Sequence, residues 1–427
     1  MNKSLFFFLL AISICFSCNN TDSNTEVSEI NKYIDEVMHD QYLWSEESPV
    51  LKDISNYEPE ELVKKLKVSQ DRFTFIKKSY GADNARTSND FEIEIGSGIY
   101  LGVTTDEQYF AIHVTEGSPA HNAGVRRGDE IVSVNNSSSV SAIEQLYAQE
   151  EGLNIDIEIK RNNSINDYTF QIAQIQADYV GPTEIFIKEN DPSVKTGYVH
   201  YESFKSISEQ ALKDVFSDFA AKGVNNLILD MRYNGGGLVS TSAILASLIY
   251  PEGKAYDIFL KETFNNKYQA QYNQTVTFDP QDIQNTFNKI AIIQDQNTAS
   301  ASESIIWCLR PYLGNKLRTF GKTTVGKDVG SFVLTEHGYD FYPIAFRITD
   351  KDDQGDYGNG ILPDVVVNES LTNILNNPLN SREEYRVEAA LAWIEEGEAL
   401  PARIRTEGIP LNALDGPYSQ QFIERQD

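Results

Sequence analysis

Asn297-Thr298-Ala299-Ser300-Ala301-Ser302-Glu303-Ser304 follows a buried-strand pattern, Lys289-Ile290-Ala291-Ile292-Ile293, and runs into the apolar segment Ile305-Ile306-Trp307-Cys308-Leu309. A strand, a turn of small residues and a helix set free backbone N–H groups and a hydroxyl at a helix N-terminus, where an oxyanion can be held. The same stretch also reads as a capped helix start, a task that Ser302 with Glu303 would serve. Two further stretches decide between these readings.

Both lie in a region, from Thr196 onward, where strands and helices alternate in α/β fashion. Asn226-Leu227-Ile228-Leu229-Asp230 is a buried strand that runs into Arg232 and then Gly235-Gly236-Gly237, whose backbone can approach a ligand with no Cβ in the way. A strand is expected to enter Phe320-Gly321-Lys322-Thr323-Thr324-Val325-Gly326-Lys327, leaving Lys327 just beyond it. A serine hydroxyl needs a base, and a buried lysine can be one because desolvation disfavours its ammonium. Gly197–Tyr201 reads as a strand, 208–222 as a helix closed by Gly223, and 383–394 as a helix. No Gly-x-Ser-x-Gly elbow or His-Glu-x-x-His is present, and of the five histidines only His337 lies near these motif stretches.

The 427 residues allow two or three domains, and a hydrophobic fraction of 41% is enough for packed cores. The formal charge of −27 argues against nucleic acid or an anionic membrane surface as a partner. Three cysteines, Cys15, Cys18 and Cys308, exclude a disulfide framework and thiolate clusters, and Cys308 reads as a buried structural thiol. Lys3, the apolar run from Leu5 to Phe16 and Ser17 before Cys18 form a leader too short to span a bilayer. It resembles a bacterial lipoprotein signal, although Cys15 stands where an aliphatic residue is usual. That resemblance implies cleavage at 1–18, a lipidated Cys18, a linker over 19–27 and a place in the cell envelope, on the periplasmic or outer-membrane side. An ordinary secretory leader cut nearby is the alternative.

Residues 28–90 read as a small helical domain with Ile30, Ile34, Val37 and Met38 on one face, and 81–89 as a polar loop. Over 91–176 short alternating strands take over. Gly117-Ser118-Pro119-Ala120, His121-Asn122-Ala123-Gly124 and the strand-like Asp129-Glu130-Ile131-Val132-Ser133-Val134-Asn135, with Leu101-Gly102-Val103 upstream, resemble a PDZ domain. In such domains the loop equivalent to Leu101, Gly102 and Val103 offers backbone N–H groups to a peptide C-terminus, which adds as a strand. His113 and His121 have no metal-like spacing and read as structural or solvent-facing. A core over 177–400 and a loose tail over 401–427 complete the chain.

The strings Asp230-Met231-Arg232-Tyr233-Asn234-Gly235-Gly236-Gly237, Thr298-Ala299-Ser300-Ala301-Ser302-Glu303 and Gly321-Lys322-Thr323-Thr324-Val325-Gly326-Lys327 occur in that order. They resemble the three signatures of the C-terminal processing peptidases, the S41 serine proteases, and Gly360-Ile361-Leu362-Pro363-Asp364-Val365 resembles a fourth. The resemblance implies Ser300 as nucleophile and Lys327 as general base, with an oxyanion hole from Ala301 and Gly236 or Gly237. Ser302 is the rival nucleophile. The Ser300-to-Lys327 separation is slightly longer than is common, and the extra residues are expected around 310–314, in the loop after the helix. The family often carries Gln four residues after the lysine, where this chain has Ser331, so Ser302, Glu303 or Ser331 would support the dyad instead.

The sequence therefore predicts an α/β (α+β) multidomain chain: a helical segment, a PDZ-like module and an S41 core of mixed sheet with helices. The implied function is an exported serine endopeptidase acting on protein or peptide C-terminal tails. No cofactor, metal or nucleotide is implied, and a membrane enters only through the lipid anchor. A catalytically silent peptide- or ligand-binding lipoprotein on the same fold is the alternative, and a non-peptidic esterase a more remote one.

Overall fold

A computed structural model describes residues 23–79, 94–283, 285–397 and 409–414. The leader with Cys18, the polar 81–89 loop and most of the tail fall outside these residues, while helix Ser23–Asp40 takes up most of the stretch expected as a linker over 19–27. Six strands form the central sheet, in the order Val365–Val366, Leu317–Gly321, Ile290–Gln294, Asn226–Asp230, Asp191–Tyr201 and Val180–Lys188. All neighbours are parallel except the last pair. Asn226–Asp230 and Ile290–Gln294 are buried along their whole length, as expected of parallel strands covered on both faces. Phe216, Leu245, Ile305 and Leu309, from helices Ser208–Ala221, Val239–Ile249 and Ala301–Leu313, share one core with one sheet face. Helix Tyr385–Glu396 covers the other through Val387, Leu391 and Trp393.

This is the mixed α/β architecture that the patterns predict. Three adjacent parallel strands, 226–230, 290–294 and 317–321, carry the three signature strings at their carboxyl ends. In an open parallel sheet that is where a ligand crevice forms. The strings therefore converge, although the first ends 61 residues before the second begins and the second ends 18 before the third.

The second module is a six-stranded antiparallel sheet, in the order Leu411–Ala413, Ile99–Thr104, Tyr109–Val114, Glu130–Val134, Asn154–Arg161 and Ser164–Gln171. Helix Pro119–Ala123 is capped by Ser118 and closed by Gly124 in the left-handed region, as its sequence predicts.

Several elements differ from expectation. Helix Ala301–Leu313 begins four residues earlier than the apolar run suggests, because Ser300 rather than Ser302 is its cap, with Glu303 in the first turn. It also absorbs Arg310, Pro311, Tyr312 and Leu313, so these residues form its last turn rather than a loop. The third motif strand ends at Gly321, which leaves Lys327 in an irregular segment before Val329–Ser331. Helices Ser23–Asp40 and Pro59–Leu66 are present, and the N-terminal segment also holds a strand. It ends in strand Phe75–Lys78, paired with Tyr339–Tyr342, and its core includes Val329, Phe341 and Ile344. Part of the tail is also ordered: Leu411–Ala413 pairs antiparallel with Ile99–Thr104 and buries Leu411.

Candidate active site

Hydrogen bonds zip the three convergent loops together. The Thr298 hydroxyl donates to the Met231 carbonyl over 2.9 Å, and the Val325 N–H to the Thr298 carbonyl over 3.0 Å. Asn234 is fully buried and joins four groups. Its amide donates to the Tyr201 carbonyl and its Oδ1 accepts from the Gly236 N–H, each over 2.9 Å. Its carbonyl accepts from the Ala299 N–H and the Ser302 hydroxyl, at 3.1 and 3.0 Å.

Ser300 stands at this junction with φ +56° and ψ −116°, outside the usual conformations of a residue bearing a Cβ. Such a conformation costs of the order of 1–3 kcal/mol and persists only where the surroundings impose it. It breaks the chain direction, so Ser300 stays partly exposed at the helix start while Ser302 and Ser304 are buried. Gly236, at φ +101°, makes room for it: a Cβ there would lie 2.8 Å from the Ser300 Cβ and 3.0 Å from the Ala301 nitrogen. Ala301 is the first helical residue, so its N–H has no carbonyl within the helix and points with the helix N-terminal dipole.

Glu303 ties this turn to Lys327. Its carboxylate is fully buried and accepts four hydrogen bonds: Ser300 N–H at 2.8 Å, Thr324 hydroxyl at 2.5 Å, Gly326 N–H at 2.7 Å and Lys327 N–H at 2.8 Å. The Ser300 and Lys327 N–H groups share one oxygen, Oε2. Burial pushes the carboxyl up, while the donors from Thr324, Lys327, Gly326 and Ser300 favour the ionised form. Lys327 itself is 4% exposed. Burial lowers its ammonium to about 8, against the opposing pull of Glu303 and Asp71. The Phe73 ring lies 5.7 Å from Nζ.

The N-terminal segment, in which the sequence revealed no chemistry, forms this wall. One Arg72 nitrogen donates to the carbonyls of Val325, Gly326 and Gly358, at 3.2, 2.9 and 2.7 Å. Asp71 accepts from the N–H groups of Phe73 and Thr74 and from the Tyr42 hydroxyl. No local spacing marks Arg72 or Asn234, because each acts on backbone that only the fold brings near.

The structure brings Ser300, Ala301, Glu303, Gly236 and Lys327 into one locus. Ser302 is turned away, its hydroxyl committed to Asn234. Ser331 lies on strand Val329–Ser331 opposite Ile344 and takes no part in the Glu303 network. Gly236 contributes space rather than a free donor, since its N–H serves Asn234; Gly237 remains as the donor expected from that turn. His337 sits on a turn beside Glu29. The expected Leu101-Gly102-Val103 loop is part of a strand. Its Leu101 N–H donates to the Tyr147 hydroxyl over 2.9 Å, and Gly102 and Val103 face Ala413 and Asn412.

Comparisons with known proteins agree with this arrangement. The profile of peptidase family S41 matches residues 195–367, that of the S41 N-terminal domain residues 29–75, and that of the PDZ domain residues 113–161. A Staphylococcus aureus (strain COL) protein named "Probable CtpA-like serine protease" is 24% identical over 352 residues, covering 81% of this chain and 66% of that protein. The chain thus spans just under two thirds of that relative's length. A Bacteroides fragilis NCTC 9343 protein whose name places it among the S41 proteases superposes with a TM-score of 0.69 at 25% identity, over 86% of this chain and 97% of that one. The photosystem II D1 C-terminal processing protease shares the fold, with a TM-score of 0.50 at 18% identity over 86% of this chain and 100% of that one. With two S41 profiles flanking a PDZ profile in the family's order, the chain belongs to peptidase family S41.

Proposed function

We propose that the chain is an exported serine endopeptidase that uses a Ser300–Lys327 dyad and cleaves near substrate C-termini. The observation that carries this reading is the single carboxylate, Glu303, which fixes both the strained Ser300 turn and the segment of the buried Lys327. Ser300 Oγ attacks the scissile carbonyl while neutral Lys327 takes its proton. The N–H groups of Ala301 and Gly237 hold the oxyanion. Lys327 returns the proton to the leaving amine, then deprotonates the water that hydrolyses the acyl-enzyme. The substrate C-terminus adds as a strand to the edge of Ile99–Thr104, where the chain's own Leu411–Ala413 lies. Cys18 carries the lipid anchor; loss of lipid labelling in Cys18→Ser checks this.

The deciding experiment is cleavage of an unstructured protein with an apolar C-terminus. Ser300→Ala and Lys327→Ala are expected to abolish cleavage, and Ser302→Ala to retain it. A dead Ser302→Ala that folds normally would move the nucleophile. A wild type that cuts nothing, even with an activating C-terminal peptide, would make the chain a peptide-binding protein.

A further inference from the structure

His113 on strand Tyr109–Val114 and His200 on strand Asp191–Tyr201 come from different modules, yet they meet at Glu202 where the PDZ sheet abuts the central sheet. All three are at most 5% exposed. Glu202 Oε2 lies 3.0 Å from His113 Nε2, and Oε1 lies 3.8 Å from His200 Nδ1. One donor atom from each residue falls within 4.8 Å of the other two. Both nitrogens are buried; His113 Nε2 has only the Glu202 carboxylate beside it, and His200 Nδ1 has no hydrogen-bond partner.

The second nitrogen of His200 determines what the first can be. Nε2 lies 3.3 Å from the Arg232 carbonyl, a contact that requires the proton on Nε2. Nδ1 then presents a lone pair to a carboxylate oxygen. Two acceptors facing one another inside a protein are unfavourable unless a cation lies between them.

We propose that His113, His200 and Glu202 form a zinc site that clamps the PDZ module to the peptidase sheet. Two imidazoles and a carboxylate are a zinc donor set, and bonds of about 2.0–2.2 Å in a tetrahedron place donors roughly 3.3–3.5 Å apart. The carboxylate lies 3.0 Å from His113 through Oε2 and 3.8 Å from His200 through Oε1, each within about half an ångström of that spacing. Outer hydrogen bonds of the usual kind are in place: His200 to the Arg232 carbonyl, and Thr115 Oγ1 to Glu202 Oε2 over 2.7 Å. A fourth position is open because residue 181 is glycine. A Cβ there would stand 2.7 Å from His200 Nδ1 and 3.4 Å from Glu202 Oε1. Gly181, His113 and Glu202 line a cavity of about 510 Å3 that gives access to this position. Arg126 and Arg127 line the same cavity, but their guanidinium groups hydrogen-bond to the Val125 and Ile112 carbonyls respectively. Arg232 begins the turn that faces Ser300, so the clamp also touches the proposed active site. The proposal does not depend on peptidase activity.

The test uses the full chain, stripped with a chelator and then titrated with zinc by calorimetry and with cobalt by visible absorption. One zinc per chain and the intense visible bands of four-coordinate cobalt are expected. His113→Gln, His200→Gln and Glu202→Gln should each weaken zinc binding by about 100-fold or more, beyond the ten- to hundredfold typical of outer-shell changes. Thr115→Val, which removes only an outer hydrogen bond, should weaken it by roughly tenfold. A folded wild type that takes up no stoichiometric zinc would overturn the proposal, as would zinc binding unchanged in all three ligand variants.

Discussion

Ser300 and Ser302 stand two positions apart, and the backbone gives them different chemistry. The strained φ of Ser300 keeps it at the cleft, whereas the Ser302 hydroxyl is spent on Asn234. Ser302→Ala should therefore lower stability by only about 1 kcal/mol, since the Asn234 carbonyl keeps the Ala299 N–H. Thermal unfolding beside a cleavage assay checks this. Glu303→Gln should be severe. Four donors converge on two oxygens, and an amide would turn two of its own N–H groups toward them. A fall of roughly 100-fold in kcat/KM is expected, because each buried donor left unmatched costs about 1–3 kcal/mol; an unaltered rate would remove Glu303 from the site. The pH profile follows from Lys327. With its ammonium lowered to about 8, the neutral base accumulates as pH rises, so kcat/KM should climb and level off above about 8. A profile flat from pH 6 to 9 would exclude Lys327 as the base. Ser300, Lys327 and the glycines are legible because their three strings occur together in one order, while each alone has an ordinary reading. Asn234 was quoted with its motif, but its role was not legible, because what it satisfies is backbone from other loops.

At the scale of elements, apolar runs predicted the buried strands and their order along the chain, while their parallel pairing, and with it the place where loops gather, is set by the fold. Hydrophobic periodicity misjudged the helix start at Ala301 because a run of small residues carries none, and only the Ser300 dihedrals fix the boundary. The segment holding Lys327 has no regular structure of its own, so Arg72 supplies what secondary structure would otherwise supply. Arg72→Ala leaves three carbonyls without that donor. Turnover should fall by roughly tenfold, since small misplacements of a catalytic group are costly. Measured kcat in a variant with unchanged secondary structure checks it; an unaffected kcat would show that the segment holds its shape without Arg72.

For the whole molecule, the chain's own Leu411–Ala413 takes the sheet edge on which a substrate terminus would add. Gln296 and Asn297, just ahead of Ser300, hold that strand through the carbonyls of Ala413 and Leu414. A tethered strand competes at an effective concentration in the millimolar range. Deleting residues 409–427 should therefore strengthen binding of a peptide with an apolar C-terminus by roughly tenfold. Fluorescence polarisation reads this directly, and unchanged affinity would place the peptide elsewhere. Composition could not reveal this strand, because three residues form one only when a partner edge exists. The pairing of Phe75–Lys78 with Tyr339–Tyr342, and the grip of Arg72 on Gly358, bear on timing. A chain emerging from the ribosome makes residues 72–78 early and must wait for almost the whole peptidase sequence before they find their partners. Such long-range closures come late in folding. A half-made chain therefore lacks the wall around Lys327, which closes only when synthesis is nearly complete.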